Sequence, residues 1–95
     1  MFPQDQKQYA LERLRKLAGG EVSSIEEINA LTIDNMDGFE IIANRKDDEG
    51  KPELVYQAMV FDSGGDYFLV VGQTTEDFEV NLEAFKRIAR TVRRK

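Results

Sequence analysis

The chain is predicted to fold as an α+β domain, an antiparallel β-sheet of about four strands with an N-terminal and a C-terminal helix packed on it. Three observations carry this. Apolar residues recur at three- and four-residue spacing only near the two ends, where an amphipathic helix would place them on one face. The middle alternates with period two and is cut by short turns rich in Asp, Asn and Gly. The third and fourth strand segments are apolar on both faces, so the sheet needs cover on two sides.

The elements follow in order. A helix is expected from Pro3 to Ala18. Pro3 suits the first turn, where a missing N–H is no loss. Ala10, Leu11, Leu14, Leu17 and Ala18 form one stripe, and Gly19-Gly20 stops it. Ser23 to Glu27 reads as a connection, although Ser24 with Glu26 and Glu27 could also open a short helical turn. A first strand is expected over Asn29 to Asp34, with Leu31 and Ile33 on one face and Ala30 and Thr32 on the other. Asn35-Met36-Asp37-Gly38 reads as a turn, with Asp37-Gly38 at positive φ. Phe39 to Arg45 follows as the second strand, with Phe39, Ile41 and Ala43 opposite Glu40, Ile42 and Asn44. Lys46 to Glu53 is a polar loop. The third strand runs from Leu54 to Asp62 and the fourth from Tyr67 to Gln73, joined by Ser63-Gly64-Gly65-Asp66. Thr74 or Thr75 is expected to cap the last helix, which has Phe78, Leu82, Phe85, Ile88, Ala89 and Val92 as its apolar face. Phe61, Val70, Phe85 and Ile88 are expected in the core.

With 95 residues, 41% of them apolar and 33% charged, the chain reads as a single domain spanning residues 1–95, or as a fragment or shortened version of a larger one. The longest apolar runs, Ala58 to Phe61 and Tyr67 to Val71, fall far short of a membrane span. No secretory signal follows Met1, and no compartment is named by the sequence. Charge is uneven. Residues 1–20 carry four bases and two acids, residues 21–85 three bases and sixteen acids, and residues 86–95 six bases alone. The net charge of −5 argues against a nucleic-acid partner. The basic end suits the negative pole of a helix C-terminus.

The residue inventory narrows the chemistry. The chain has no cysteine, so thiolate nucleophiles, disulfides within the chain and Cys-ligated zinc are excluded. It has no histidine, the commonest general base and transition-metal ligand. Ser23, Ser24 and Ser63 therefore lack the usual activating base, and no Ser-x-x-Lys occurs. Asp47, Asp48 and Glu49 cluster in the polar loop, and Asp34 and Asp37 flank a turn. Aligning Gly38 or Gly50 to the glycine of an EF-hand puts Ile33 or Arg45 at the first ligand position, which cannot serve. A loose calcium site at Asp47, Asp48 and Glu49 is the remaining metal reading, against a solvated loop tip. Gly-x-Gly-x-x-Gly and Walker A patterns are absent. Aromatics on strands can stack bases, but these strands lack interleaved Lys and Arg, so core packing is the better reading. No catalytic, cofactor-binding or metal-ligating residue is assigned, and no cofactor is expected.

Three stretches resemble the PsbP-like fold group. Leu31-Thr32-Ile33-Asp34-Asn35-Met36-Asp37-Gly38-Phe39-Glu40 is similar to its mid-domain strand and glycine turn. Gly50-Lys51-Pro52 before Tyr56 is similar to the following hairpin. Tyr67-Phe68-Leu69-Val70-Val71-Gly72, with Leu82, Phe85 and Ile88, is similar to the terminal strand and helix. That group includes a photosystem oxygen-evolving-complex subunit, a Ran-binding nuclear import factor and many uncharacterised bacterial proteins. The resemblance implies an antiparallel sheet between helices and further N-terminal strands. It implies no catalytic motif.

The expected function is a non-catalytic binding or scaffold domain with an unidentified protein partner. The alternative is an accessory or regulatory fragment of a larger protein, and a third reading is a weak metal-dependent or carboxylate enzyme. Self-association, through a sheet edge or an uncovered face, is expected because two helices offer only two stripes of cover.

Overall fold

The computed structural model describes residues 3–17, 22 and 24–94. The order is α1 (Pro3–Leu17), β1 (Ser24–Ile33), β2 (Met36–Lys46), β3 (Pro52–Phe61), β4 (Tyr67–Thr74) and α2 (Phe78–Ala89). The four strands form one antiparallel sheet in the order β1-β2-β3-β4. The α+β class and the two-helix architecture are as the periodicities require. The expected stop at Ala18, Gly19 and Gly20 lies outside the described residues, as does Ser23.

The two helices lie on opposite faces and define two cores. On one face α2 packs on β3 and β4. There Ile33, Met36, Ile42, Leu54, Tyr56, Ala58, Val60 and Ala89 are buried, with Phe78, Leu82, Phe85 and Val92 against them. On the other face α1 packs on β2. Ala10 and Leu14 are buried against Ile41, Ala43, Val55 and Met59. The strict alternation of β2 and β3 sends neighbours to opposite cores, because successive strand side chains point to opposite faces.

Several expectations need correction. Ser24 to Glu27 is strand rather than connection: β1 pairs with β2 from Ser24↔Asn44 to Ile33↔Met36, with a bulge between Ile25 and Glu27. The bulge and the two exposed acids Glu26 and Glu27 blunt this sheet edge. The β1–β2 turn is the pair Asp34-Asn35, whose φ values are 50° and 63°. Two left-handed residues between paired strands fit a type I′ hairpin, whose twist matches that of the flanking strands. Asp37 and Gly38 belong to β2. Gly38 is needed for closeness rather than turning, since a Cβ there would lie 1.9 Å from the Met59 carbonyl oxygen.

The other two hairpins share one device. In Asp47-Asp48-Glu49-Gly50-Lys51, Asp47 Oδ1 accepts from the backbone N–H of Glu49 at 2.9 Å and of Lys51 at 2.8 Å. In Asp62-Ser63-Gly64-Gly65-Asp66, Asp62 Oδ1 accepts from Gly64 at 2.9 Å and Asp66 at 3.0 Å. Each loop ends with a left-handed glycine, Gly50 at φ 80° and Gly65 at φ 93°. This is a turn followed by a glycine bulge, written in sequence as Asp-x-x-Gly-x.

The start of α2 also differs. Its N-cap is Asp77, left-handed at φ 49° and without a side-chain cap bond. Thr74 instead organises the approach. Its hydroxyl donates to the Glu76 carbonyl at 2.6 Å and accepts from Asn81 Nδ2 at 2.8 Å. Ile88 is not in the core: it is 56% exposed. Phe78, Leu82, Phe85, Ala89 and Val92 already complete the inward stripe, which turns Ile88 outward. Phe61, Val70 and Phe85 are half-buried rather than fully enclosed.

Candidate functional site

Two features distinguish the surface of this sheet from its core. The first is a groove at one end, where the first turns of α1 overhang the β1–β2 and β3–β4 turns. It encloses about 350 Å³ and is lined by Gln6, Asn35, Asp37, Phe61, Asp62 and Ser63. A second hollow of about 280 Å³ shares Gln6 and Asp37 and continues past Thr32 to Phe39. Of the two shared residues, Asp37 is the charged one. Its Oδ1 accepts from the Thr32 hydroxyl at 2.7 Å, leaving the exposed carboxylate further acceptor capacity. Asp62 is engaged by its own loop. The groove can therefore accept hydrogen bonds from cationic or amide donors at Asp37 and offer Phe61 as an apolar wall.

The second feature is an apolar strip along β4. Tyr67, Leu69 and Val71 alternate onto the α1 face, but α1 packs mainly over β2. Val71 stays 40% exposed and Tyr9 37% exposed. Tyr9 closes one end of the strip, 6.2 Å from Phe61 and 5.7 Å from Tyr67 between ring centroids. The Tyr67 hydroxyl beside it raises the Tyr9 phenol above its ordinary value of 10.0.

Beneath the α2 face lies a buried polar pair. Glu40 is only 5% exposed, and its Oε2 accepts from the Tyr56 hydroxyl at 2.9 Å. Asn29 Nδ2 lies 3.5 Å from Glu40 Oε1 and donates to Glu27 Oε2 at 3.1 Å. Burial raises the Tyr56 phenol far above its ordinary value, and the Glu40 carboxylate adds to the effect. A phenol held protonated is a donor locked toward Glu40, which is a structural role.

The acids singled out in the sequence do not converge. Asp47 turns inward to its loop, while Asp48 and Glu49 are exposed at the tip. Asp34 Oδ2 accepts from the Arg94 backbone N–H at 2.7 Å, which ties the C-terminal segment to the β1–β2 turn. Among the described residues no three acids group as a cation would require. Ser24 opens β1 and Ser63 sits in a turn. Sequence reasoning missed Glu40 and Gln57 as buried polar residues. The signal for Gln57 was present, since it is the one polar residue within the apolar run Leu54 to Phe61.

Comparison of the chain with family models, with curated proteins and with solved structures returns no match.

Proposed function

We propose that this chain is a non-catalytic binding or scaffold domain whose protein partner docks on the α1 face. The observation that carries the reading is the β4 strip, where Tyr9 and Val71 stay open to solvent beside half-buried Tyr67 and Leu69. Exposed aromatic and aliphatic side chains on a rigid sheet are suited to contact at low entropic cost. The carboxylates add support, because Asp47, Asp62 and Glu40 each have a structural partner. The groove beside Asp37 supplies a polar rim to the same face.

The test uses the chain as bait beside Val71→Glu and Asp37→Asn. A protein retained by the parent and lost with Val71→Glu, which then rebinds in purified form, supports the reading. Turnover in a hydrolase panel that disappears on changing a single carboxylate overturns it.

A second reading, an accessory or regulatory unit of a larger protein, is favoured by β1. Ten residues long, it pairs with β2 alone among the described strands, and beyond the bulge residues 28–33 leave a regular outer edge for a further strand. We also propose kinship with the PsbP-like group. A sheet between two helices is one part of the architecture that group implies, and the further N-terminal strands it also implies are not among the described elements.

A further inference from the structure

The outer face of α2 carries a pattern that helix chemistry alone does not explain. Val80 is 71% exposed and Ile88 56% exposed, with Ala84 between them at four-residue spacing. The three lie on one line down the helix. Thr91 extends the line, and Ala84, Arg87, Ile88 and Thr91 border a shallow, mainly apolar hollow. The two halves of the helix differ in charge. Glu76, Asp77, Glu79 and Glu83 lie at or before the first half, and Lys86, Arg87 and Arg90 in or after the second. That polarity suits the helix dipole. Two exposed branched aliphatics among those charges do not serve the dipole.

We infer that α2 is a self-recognition surface, on which a second copy of this chain packs antiparallel about a twofold axis near Ala84. The geometry favours this occupant on three counts. Antiparallel pairing about Ala84 sets Val80 against Ile88 of the second copy and Ile88 against its Val80. The small Ala84 at the crossing lets the backbones approach closely. The same operation brings the acidic half of one helix against the basic half of the other, with Glu83 near Arg87 and Glu79 near Arg90. In a parallel pair like charges would meet, so charge selects the antiparallel arrangement. The acids are free for this role: among the described residues the only ion pair is Arg45–Glu53. A twofold contact is also self-closing, so it ends at two copies. The α2 helix has 12 residues and is about 18 Å long. So short a seam gives weak, reversible pairing rather than an obligate dimer.

The surface is distinct from the β4 strip and does not depend on the function proposed above. It places self-association on an outer helix face rather than at the sheet edge or uncovered sheet face expected from the sequence. The blunted β1 edge is a poorer candidate.

Sedimentation of the full chain from about 10 μM to about 1 mM tests it, with the span chosen for a weak pair. The expected result is a monomer–dimer equilibrium. Ile88→Glu is expected to leave the circular dichroism unchanged, since the side chain is exposed, and to weaken the dimer at least tenfold. Glu83→Arg and Arg87→Glu should each weaken it, and the double reversal should restore it, because the exchanged charges meet again across the axis. The chain has no cysteine of its own, so Ala84→Cys offers an independent readout. Oxidation should link two copies at this position but not in Thr91→Cys, which lies two turns from the axis. A monomer at every concentration, a dimer indifferent to Ile88→Glu, or no rescue by the double reversal overturns the inference.

Discussion

The two faces of the sheet bury polar groups in opposite ways. On the α2 face Glu40 and Tyr56 satisfy each other from adjacent strands, so the pair is complete before the helix arrives. On the α1 face Gln57 is wholly buried and only one end of its amide is bonded. Its Nε2 donates to the Ala10 carbonyl at 2.8 Å, and its Oε1 has no partner in the structure. The α2 face is also broader, with Phe85 lying over Gly72 and stacked 6.2 Å from Tyr56. The α1 face rests on two fully buried helix residues, Ala10 and Leu14. One face is thus cemented by area, and the other is located by a single polar clamp. The face with less cover is the one that leaves Val71 and Tyr9 open.

The sharpest way to break this contrast is to remove the main apolar anchor of each helix. Leu14→Ala should destabilise the chain by about 3–5 kcal/mol, since Leu14 is fully enclosed and α1 has no other large buried side chain among those described. Phe85→Ala should cost about 2–3 kcal/mol, because Phe85 is half-buried and its neighbours can close over it. Urea unfolding of both variants measures the difference. A Leu14→Ala loss below about 1 kcal/mol would mean that α1 is a loosely held cover rather than part of the core.

The polar pair of the α2 face comes next. Tyr56→Phe deletes the hydroxyl and leaves Glu40 buried without its best donor, at a cost of about 1–3 kcal/mol. The effect should depend on pH. The folded state holds the Tyr56 proton more tightly than the unfolded chain does, so this contribution is fully present below pH 10.0 and is lost as pH rises toward the folded value. The gap between parent and Tyr56→Phe should therefore narrow in alkaline solution. A gap that stays constant past pH 10.0 would show that Tyr56 titrates normally.

The hairpin loops at the two ends of β3 belong to neither face and act as a control. Asp47→Ala and Asp62→Ala each remove an acceptor of two backbone N–H groups, in loops where water can replace it. Each should cost about 0.5–1.5 kcal/mol. Because the two loops share one geometry, the costs should agree closely in thermal melts. A large difference would mean that one loop has a second role, and Asp62 at the groove is the residue to suspect.

What could be read from sequence follows the same physical lines. Two-faced strands announce themselves by apolar residues on both alternating faces, so β3, β4 and the need for two covering layers were legible. Turn placement was not. Asp37-Gly38 is the stronger turn signal in isolation, yet pairing of Ile33 with Met36 puts the turn at Asp34-Asn35 and spends Gly38 on close approach to Met59. Ile88 fits the α2 stripe by spacing as well as Ala89 does, and only docking decides which of the two faces inward. Ser24 to Ile28 carries two acids that a buried strand would not tolerate, but an edge strand does. The candidate surfaces were invisible for a related reason: exposure of Val71, Val80 and Ile88 depends on where each helix settles, which no local pattern encodes.

The smallest expected effect is the most informative about the α1 face. Gln57 is surrounded by Ile41, Val71, Val55 and Met59 on its own face and neighbouring strands. Its burial is unfavourable by the unmet demand of Oε1 and favourable by the bond to Ala10. Those two contributions are of similar size, each about 1–2 kcal/mol, so they nearly cancel. Gln57→Leu keeps the approximate volume and removes both. The Ala10 carbonyl sits within the helix and can accept from the helix's own N–H. Stability should therefore change by less than about 1 kcal/mol in either direction. What should change is position. The bond to Ala10 is directional, whereas Leu offers only non-directional contact, so α1 becomes freer to slide over β2. Amide exchange in residues 6–14 should speed up relative to β3 while the unfolding midpoint stays put. A loss of 2 kcal/mol or more would instead mean that Oε1 is satisfied in solution, by a water held between α1 and the sheet.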